Sequence, residues 1–153
     1  MKLKSYIIPL MAVIFLAFSS CDKEKLSSMT AKVDGKDWSV TIGSVVGATY
    51  SGYMTIAGIN LNGQKIFLTI KGEEPGTYSL KTLEGESDQI SFYLTDSDDA
   101  DDGTKKYVSS SGEVIIDSMD DNRISGTFQF NGLNSLSDQV EVTEGVFTNV
   151  LVL

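Results

Sequence analysis

The stretch MTAKVDGKDWSV, residues 29–40, decides the fold. At its centre Asp34-Gly35 is a dipeptide that accepts the left-handed backbone of a two-residue type I′ turn. With the turn there, Val33 faces Lys36, Lys32 faces Asp37, Ala31 faces Trp38 and Met29 faces Val40. One face collects Met29, Ala31, Val33, Trp38 and Val40, with Lys36 at its margin beside the turn. The reverse face pairs Lys32 with Asp37. Turn chemistry and hydrophobic alternation agree on one register, and a one-residue slip would carry the whole apolar set to the wrong side. The single tryptophan of the chain is therefore expected in the core.

The same test extends outward. In YMTIAGINLNGQKIFLTIK, residues 53–71, a turn at Asn62-Gly63 sets Ile59 against Ile66, Ala57 against Leu68 and Thr55 against Ile70. Gly58 then lies opposite Phe67, whose ring would cover the bare backbone, and Asn60 lies opposite Lys65. In EEPGTYSL, residues 73–80, Pro75-Gly76 reads as the centre of a type II turn. QISFYL, residues 89–94, alternates Ile90, Phe92 and Leu94 against Ser91 and Tyr93. GEVIIDSMDDNRISGTFQF, residues 112–130, reads as a longer-turned hairpin with Val114 and Ile116 facing the same way as Ile124, Phe128 and Phe130. At the end of the sequence Glu144-Gly145 reads as a turn that places Val142 opposite Phe147.

No stretch keeps apolar spacing of three and four over three turns, and fourteen glycines suit many tight turns. The expectation is one all-β domain over residues 29–153, an antiparallel β-sandwich or partly closed barrel of about nine to eleven strands.

The N-terminus has a different character. Lys2 and Lys4 precede an apolar run from Tyr6 to Phe18, and small Ser19 and Ser20 lead into Cys21, the one cysteine. This is the layout of an export signal, and its uncharged run is shorter than the roughly 20 residues needed to span a bilayer. Small residues before Cys21 suit cleavage by signal peptidase II, with residues 1–20 as signal peptide and Cys21 as the lipid-attachment site. Phe18 stands where Leu is usual. Cleavage after Ala17-Phe18-Ser19 by signal peptidase I and a retained anchor are the competing readings. Each buried methylene of an acyl chain contributes about 0.8 kcal/mol, so two or three chains on Cys21 make a lasting anchor. Residues 21–28 then form a lipidated cysteine and polar tether.

Removing Lys2 and Lys4 from the twelve basic residues leaves ten against 21 acids, a formal charge of −11. Such a surface repels nucleic acid and anionic headgroups. With a single cysteine no intrachain disulfide forms, so the fold rests on its core.

The signal with Cys21, followed by AKVDGKDWSV, PGTYSL, SSSGEVIIDSMDDNRISGTFQF and VEVTEGVFTNV, resembles the uncharacterised small lipoproteins of Bacteroidetes, grouped as domains of unknown function. That resemblance implies an all-β outer-membrane lipoprotein and supplies no catalytic residues. Surface-displayed members of that group often carry acidic residues just after the lipidated cysteine. Asp22, Lys23, Glu24 and Lys25 are a mixed-charge version, so periplasmic face and cell surface both remain open.

Chemistry is narrowed by what the chain lacks. Without histidine there is no Ser-His-Asp or Cys-His arrangement, and one cysteine cannot build a four-cysteine zinc site. The glycines sit in hairpins, not in phosphate loops. A carboxylate pair could hydrolyse a glycoside, but the acids fall mainly in turns and on outward faces. TDSDDADDGTKK, residues 95–106, is the sharpest local feature. Asp96, Asp98 and Asp102 are weak calcium candidates, since a frame starting at Asp98 has Ala100 at a ligand position and Ser109 where a bidentate Glu belongs. Tyr93, pointing away from Ile90 and Phe92, and Tyr107, bordering the acidic loop, are the aromatic candidates for ligand contact. The expected function is a lipid-anchored, non-catalytic binding or interaction module without cofactor, with a glycan or an envelope protein as partner. A structural or accessory subunit of an envelope assembly and a carboxylate-dependent glycan hydrolase are the alternatives.

Overall fold

The computed structural model describes residues 26–40, 44–80, 89–95 and 101–153. Its ten strands are β1 (Ser28–Val33), β2 (Lys36–Ser39), β3 (Val45–Tyr50), β4 (Tyr53–Ile59), β5 (Lys65–Lys71), β6 (Gly76–Ser79), β7 (Ile90–Leu94), β8 (Lys106–Asp120), β9 (Arg123–Leu133) and β10 (Gln139–Leu151). They form one antiparallel sheet in the order β2-β1-β10-β9-β8-β7-β5-β4-β3, with β6 also paired to β8. The sheet curls into a half-barrel. Its rim is drawn together where Gly47 of β3 bridges Val152, just past β10. There Leu153 N–H donates to Gly47 O at 3.1 Å and Thr49 N–H donates to Leu153 O at 3.0 Å. Of the two architectures expected, the partly closed barrel is the one adopted.

The β1–β2 hairpin keeps its expected register, Val33 with Lys36, Lys32 with Asp37 and Ala31 with Trp38. Val40 N–H donates to Met29 O, which completes the ladder. Asp34 and Gly35 both have positive φ, 49° and 74°. The apolar face of the hairpin packs inward onto β4. A Cβ at Gly58 would lie 2.8 Å from Met29 Sδ and Val40 Cγ2, so a side chain there would push the hairpin off. Trp38 is 3% exposed, as the register required.

The β4–β5 hairpin is displaced by one residue from expectation. Ile59 pairs with Lys65, Gly58 with Ile66, Ala57 with Phe67 and Met54 with Ile70. The connection is a five-residue loop in place of an Asn62-Gly63 turn. Asn60 replaces the turn with its side chain: Oδ1 accepts from the N–H of Asn62 and of Gln64 at 2.9 Å each, and Nδ2 donates to Gln64 Oε1 at 2.7 Å. The slip reverses β4. Met54 and Ile56 join Ile66, Leu68 and Ile70 in the core, and Gly58 is covered by the β1–β2 hairpin, not by Phe67.

Four further expectations are corrected. β7 alternates as anticipated, but its inner face is Ser91 and Tyr93, while Ile90 is 39% exposed. The cause is its register with β5, where Tyr93 meets Ile66 and Ser91 meets Leu68, both inward residues. Pro75-Gly76 forms no type II turn, because Gly76 lacks the positive φ that the third position of such a turn needs. Glu144-Gly145 is a bulge inside continuous β10. Val142 pairs with Phe130 and Phe147 with Gly126, not with each other. The β8–β9 hairpin places Val114, Ile116, Ile124, Phe128 and Phe130 inward as expected. Its turn is tighter than expected, two residues long, with Asp121 and Asn122 at φ 48° and 61°.

Candidate functional site

A cleft of about 330 Å³ opens where the β1–β2 hairpin approaches the β4–β5 loop and the junction of β7 with β8. Its apolar floor includes Val33, Val140 and the rings of Trp38, Tyr93 and Tyr107. Its rim carries Asp34, Lys36 and Asp37 from the hairpin, Asn62 and Gln64 from the loop, and Thr95. The volume is at the lower end of the range for small-molecule sites, roughly 300–1,000 Å³.

The hairpin tip is held rigidly. Asp34 N–H donates to Glu141 O and Asp34 Oδ1 accepts from Glu141 N–H, both at 2.9 Å. Tyr93 and Tyr107 pair across β7 and β8, with ring centroids 6.2 Å apart and a tilt of 39°. Tyr93 is 4% exposed. Burial first, then the Asp34 carboxylate and Tyr107, pushes its phenol up to about 12. It is therefore a neutral hydroxyl at any physiological pH. Trp38 carries a buried indole Nε1–H with no hydrogen-bond partner. The Gln64 carbonyl oxygen is taken by Asn60, which leaves the NH₂ end of that amide to other partners.

Sequence reading found Tyr93, Tyr107 and Trp38 but did not bring them together. Tyr93 was expected outward, and only its inward direction makes it part of a cleft floor. The hairpin tip and Asn62 were read as turns alone. The signal that could have joined them is positional: these turns and the start of β8 all carry polar side chains at one end of the sheet.

Of the calcium candidates, Asp102 alone lies among the described residues. Asp102 Oδ1 accepts from Thr104 N–H at 2.9 Å and Thr104 Oγ1–H at 2.7 Å, and those bonds hold its carboxyl below the ordinary range. Asp102 thus caps its own loop, which Asn134 clasps by donating Nδ2–H to Thr104 O at 2.9 Å. Asp96 and Asp98 lie outside the described residues, as do Cys21 and the signal segment. Among the described residues no three His, Cys, Asp or Glu side chains converge as a metal site.

A second feature lies on the convex face. Val46, Ala57, Phe67, Phe92, Val108 and Leu133 pair successively across six strands in one apolar row. Val46 is 59% and Leu133 38% exposed. Phe67 and Phe92 stack with centroids 4.4 Å apart, and Lys106 Nζ lies 4.7 Å from the Phe92 centroid. β3, β4, β5 and β7 contain no acidic residue, although the chain has 21.

A family model described as a domain of unknown function (DUF6252) matches residues 26–151, and the chain belongs to that family. No curated protein and no solved structure matches it.

Proposed function

We propose that this DUF6252 member is an outer-membrane lipoprotein, anchored through Cys21, whose β-domain is a non-catalytic binding module with the cleft beside the β1–β2 hairpin as its ligand site. The observation that carries the reading is the cleft itself, an apolar aromatic floor under a rim of mixed donors and acceptors. Such a surface orients a small polar molecule. The anchor supplies the location. Val33 borders the cleft, and Ser28, where the tether joins β1, is at the other end of that strand. At about 3.3 Å per residue the tether thus enters roughly 17 Å from the site, clear of its mouth.

A second reading, an accessory subunit of an envelope assembly, is favoured by the apolar row on the convex face and the acid-free strands β3, β4, β5 and β7 under it. Contiguous exposed apolar surface of this kind is a common mark of protein contact.

Two measurements test the proposal. Intact-mass analysis of the membrane-purified protein is expected to show acyl mass on a chain beginning at Cys21, lost in Cys21→Ala; an unmodified thiol there defeats the anchor. Small-molecule fractions of an envelope digest are expected to raise the Tm of the purified chain, with the retained compound recovered unaltered. A chemically changed compound would make the protein an enzyme, and no stabilisation by any fraction would remove the cleft as a binding site.

A further inference from the structure

We infer that the cleft takes a neutral polyhydroxylated ligand, a single sugar unit at the end of a glycan, held between the Trp38–Tyr93–Tyr107 floor and the Asn62–Gln64 rim. This inference rests on the reading of the cleft as a binding site and adds the class of ligand. Three observations lead to it. The first is size: about 330 Å³ has room for a terminal unit and not for a run of several.

The second is charge. Asp34 and Asp37 against Lys36 give the rim an excess of one negative charge, within a chain already at −9. An anionic ligand is repelled both locally and by the whole molecule. A cation gains less than two aspartates suggest, because Asp34 already accepts from the Glu141 backbone and Lys36 opposes it from the same rim. A hydroxyl group both donates and accepts, and so suits a rim on which carboxylates, amides, an ammonium and a threonine hydroxyl stand side by side.

The third is the unpartnered donor. Trp38 lines the cleft, and its Nε1–H is buried without an acceptor. Trp38 also lines a shallower pocket beside Glu144; buried donors are rarely left unpaired, and a small shift of the indole toward the cleft would give a ligand oxygen this N–H as a partner. Tyr93, kept as a neutral phenol, adds a hydroxyl that can donate or accept. The axial C–H face of a sugar ring would lie on Val33, Val140 and the Tyr107 ring, while its hydroxyls reach the rim.

Because Trp38 is the only tryptophan, its indole N–H gives a single, assigned resonance at the site. All ten strands lie within residues 28–151, so the chain from Cys21 onward with Cys21→Ala contains the folded unit. The experiment titrates that protein with neutral sugars (glucose, galactose, mannose, N-acetylglucosamine), the anionic glucuronate and galacturonate, and cationic glucosamine. At least one neutral sugar is expected to shift the indole N–H saturably, with its charged counterpart binding about tenfold more weakly. Asn62→Ala, which leaves all three Asn60 bonds in place, is expected to weaken binding about tenfold at unchanged Tm, a loss equivalent to about 1.4 kcal/mol. Tighter binding of a uronate or of glucosamine overturns the neutral-sugar assignment while leaving the cleft a binding site. An indole resonance unmoved by every sugar overturns the inference, and the envelope-digest experiment then decides whether the cleft binds anything else.

Discussion

Asp34 and Tyr93 show how single residues set both fold and site. Gly35 follows Asp34 at φ 74°, where a β-branched residue costs about 1–2 kcal/mol. Gly35→Val is expected to lower Tm by several degrees, and an unchanged Tm would mean that the hairpin does not depend on this turn. Tyr93 makes a pH prediction. Its phenol titrates near 12 in the fold against an ordinary value of 10.0, so the native state holds the proton more tightly than the unfolded chain does. The resulting stability is complete below about pH 10 and is lost as pH rises through about 12, by about 2 kcal/mol. Denaturant titrations at intervals across that range should show the loss in the wild type and its absence in Tyr93→Phe. Equal slopes for both would show that the phenol is solvated. That Tyr93 is buried was not legible in β7 itself, because ISFYL offers large residues to both faces. The partner strand decides, and its register was misread.

Elements differ in how openly their ends are written. The β1–β2 turn was legible because Asp-Gly and the apolar alternation imply the same pairing. At the β4–β5 connection Asn62-Gly63 gives an equally good turn signal, and the competing signal is Asn60, whose three side-chain bonds organise a longer loop. Both registers bring apolar residues together, since Met54, Ile56 and Ala57 occupy both faces of β4. Pattern alone therefore could not choose between them. Asn60→Ala removes all three bonds and is expected to cost about 1–2 kcal/mol, seen as a lower denaturation midpoint with the cross-strand contact of Ala57 and Phe67 retained. A midpoint equal to wild type would show that the backbone closes this loop without Asn60. The bulge at Glu144-Gly145 was invisible for a related reason: a glycine with an acidic neighbour marks a turn and a bulge alike.

On the scale of the whole molecule, the backbone bonds that close the rim are those of Gly47 and Thr49 to Leu153, beside the packing of the β1–β2 hairpin on β4. The rest of the sheet is joined by continuous ladders. Hydrogen exchange is therefore expected to be at least about a hundredfold faster at the amides of Thr49 and Leu153 than at Ile56 and Leu68, by local opening of the rim. Equal protection would show that closure is part of the global unit. All-β class, strand number and the inward faces of the β1–β2 and β8–β9 hairpins were readable in the sequence; the curl and the approach of β3 to the segment after β10 were not, because no local pattern encodes which strands meet last. The sheet order carries a consequence for how the protein is made. β1 has no long partner until β10 exists, and the contact of Lys32 with Glu144 spans 112 positions. Closing so large a loop is slow, and β-proteins rich in distant pairings fold slowly. As the chain emerges from the ribosome, its first hairpin must wait for nearly the entire sequence to follow. Under the export proposed above, that wait is useful: a polypeptide that cannot complete its sheet early stays threadable through a translocation pore, and it finishes folding only after its last strand has crossed.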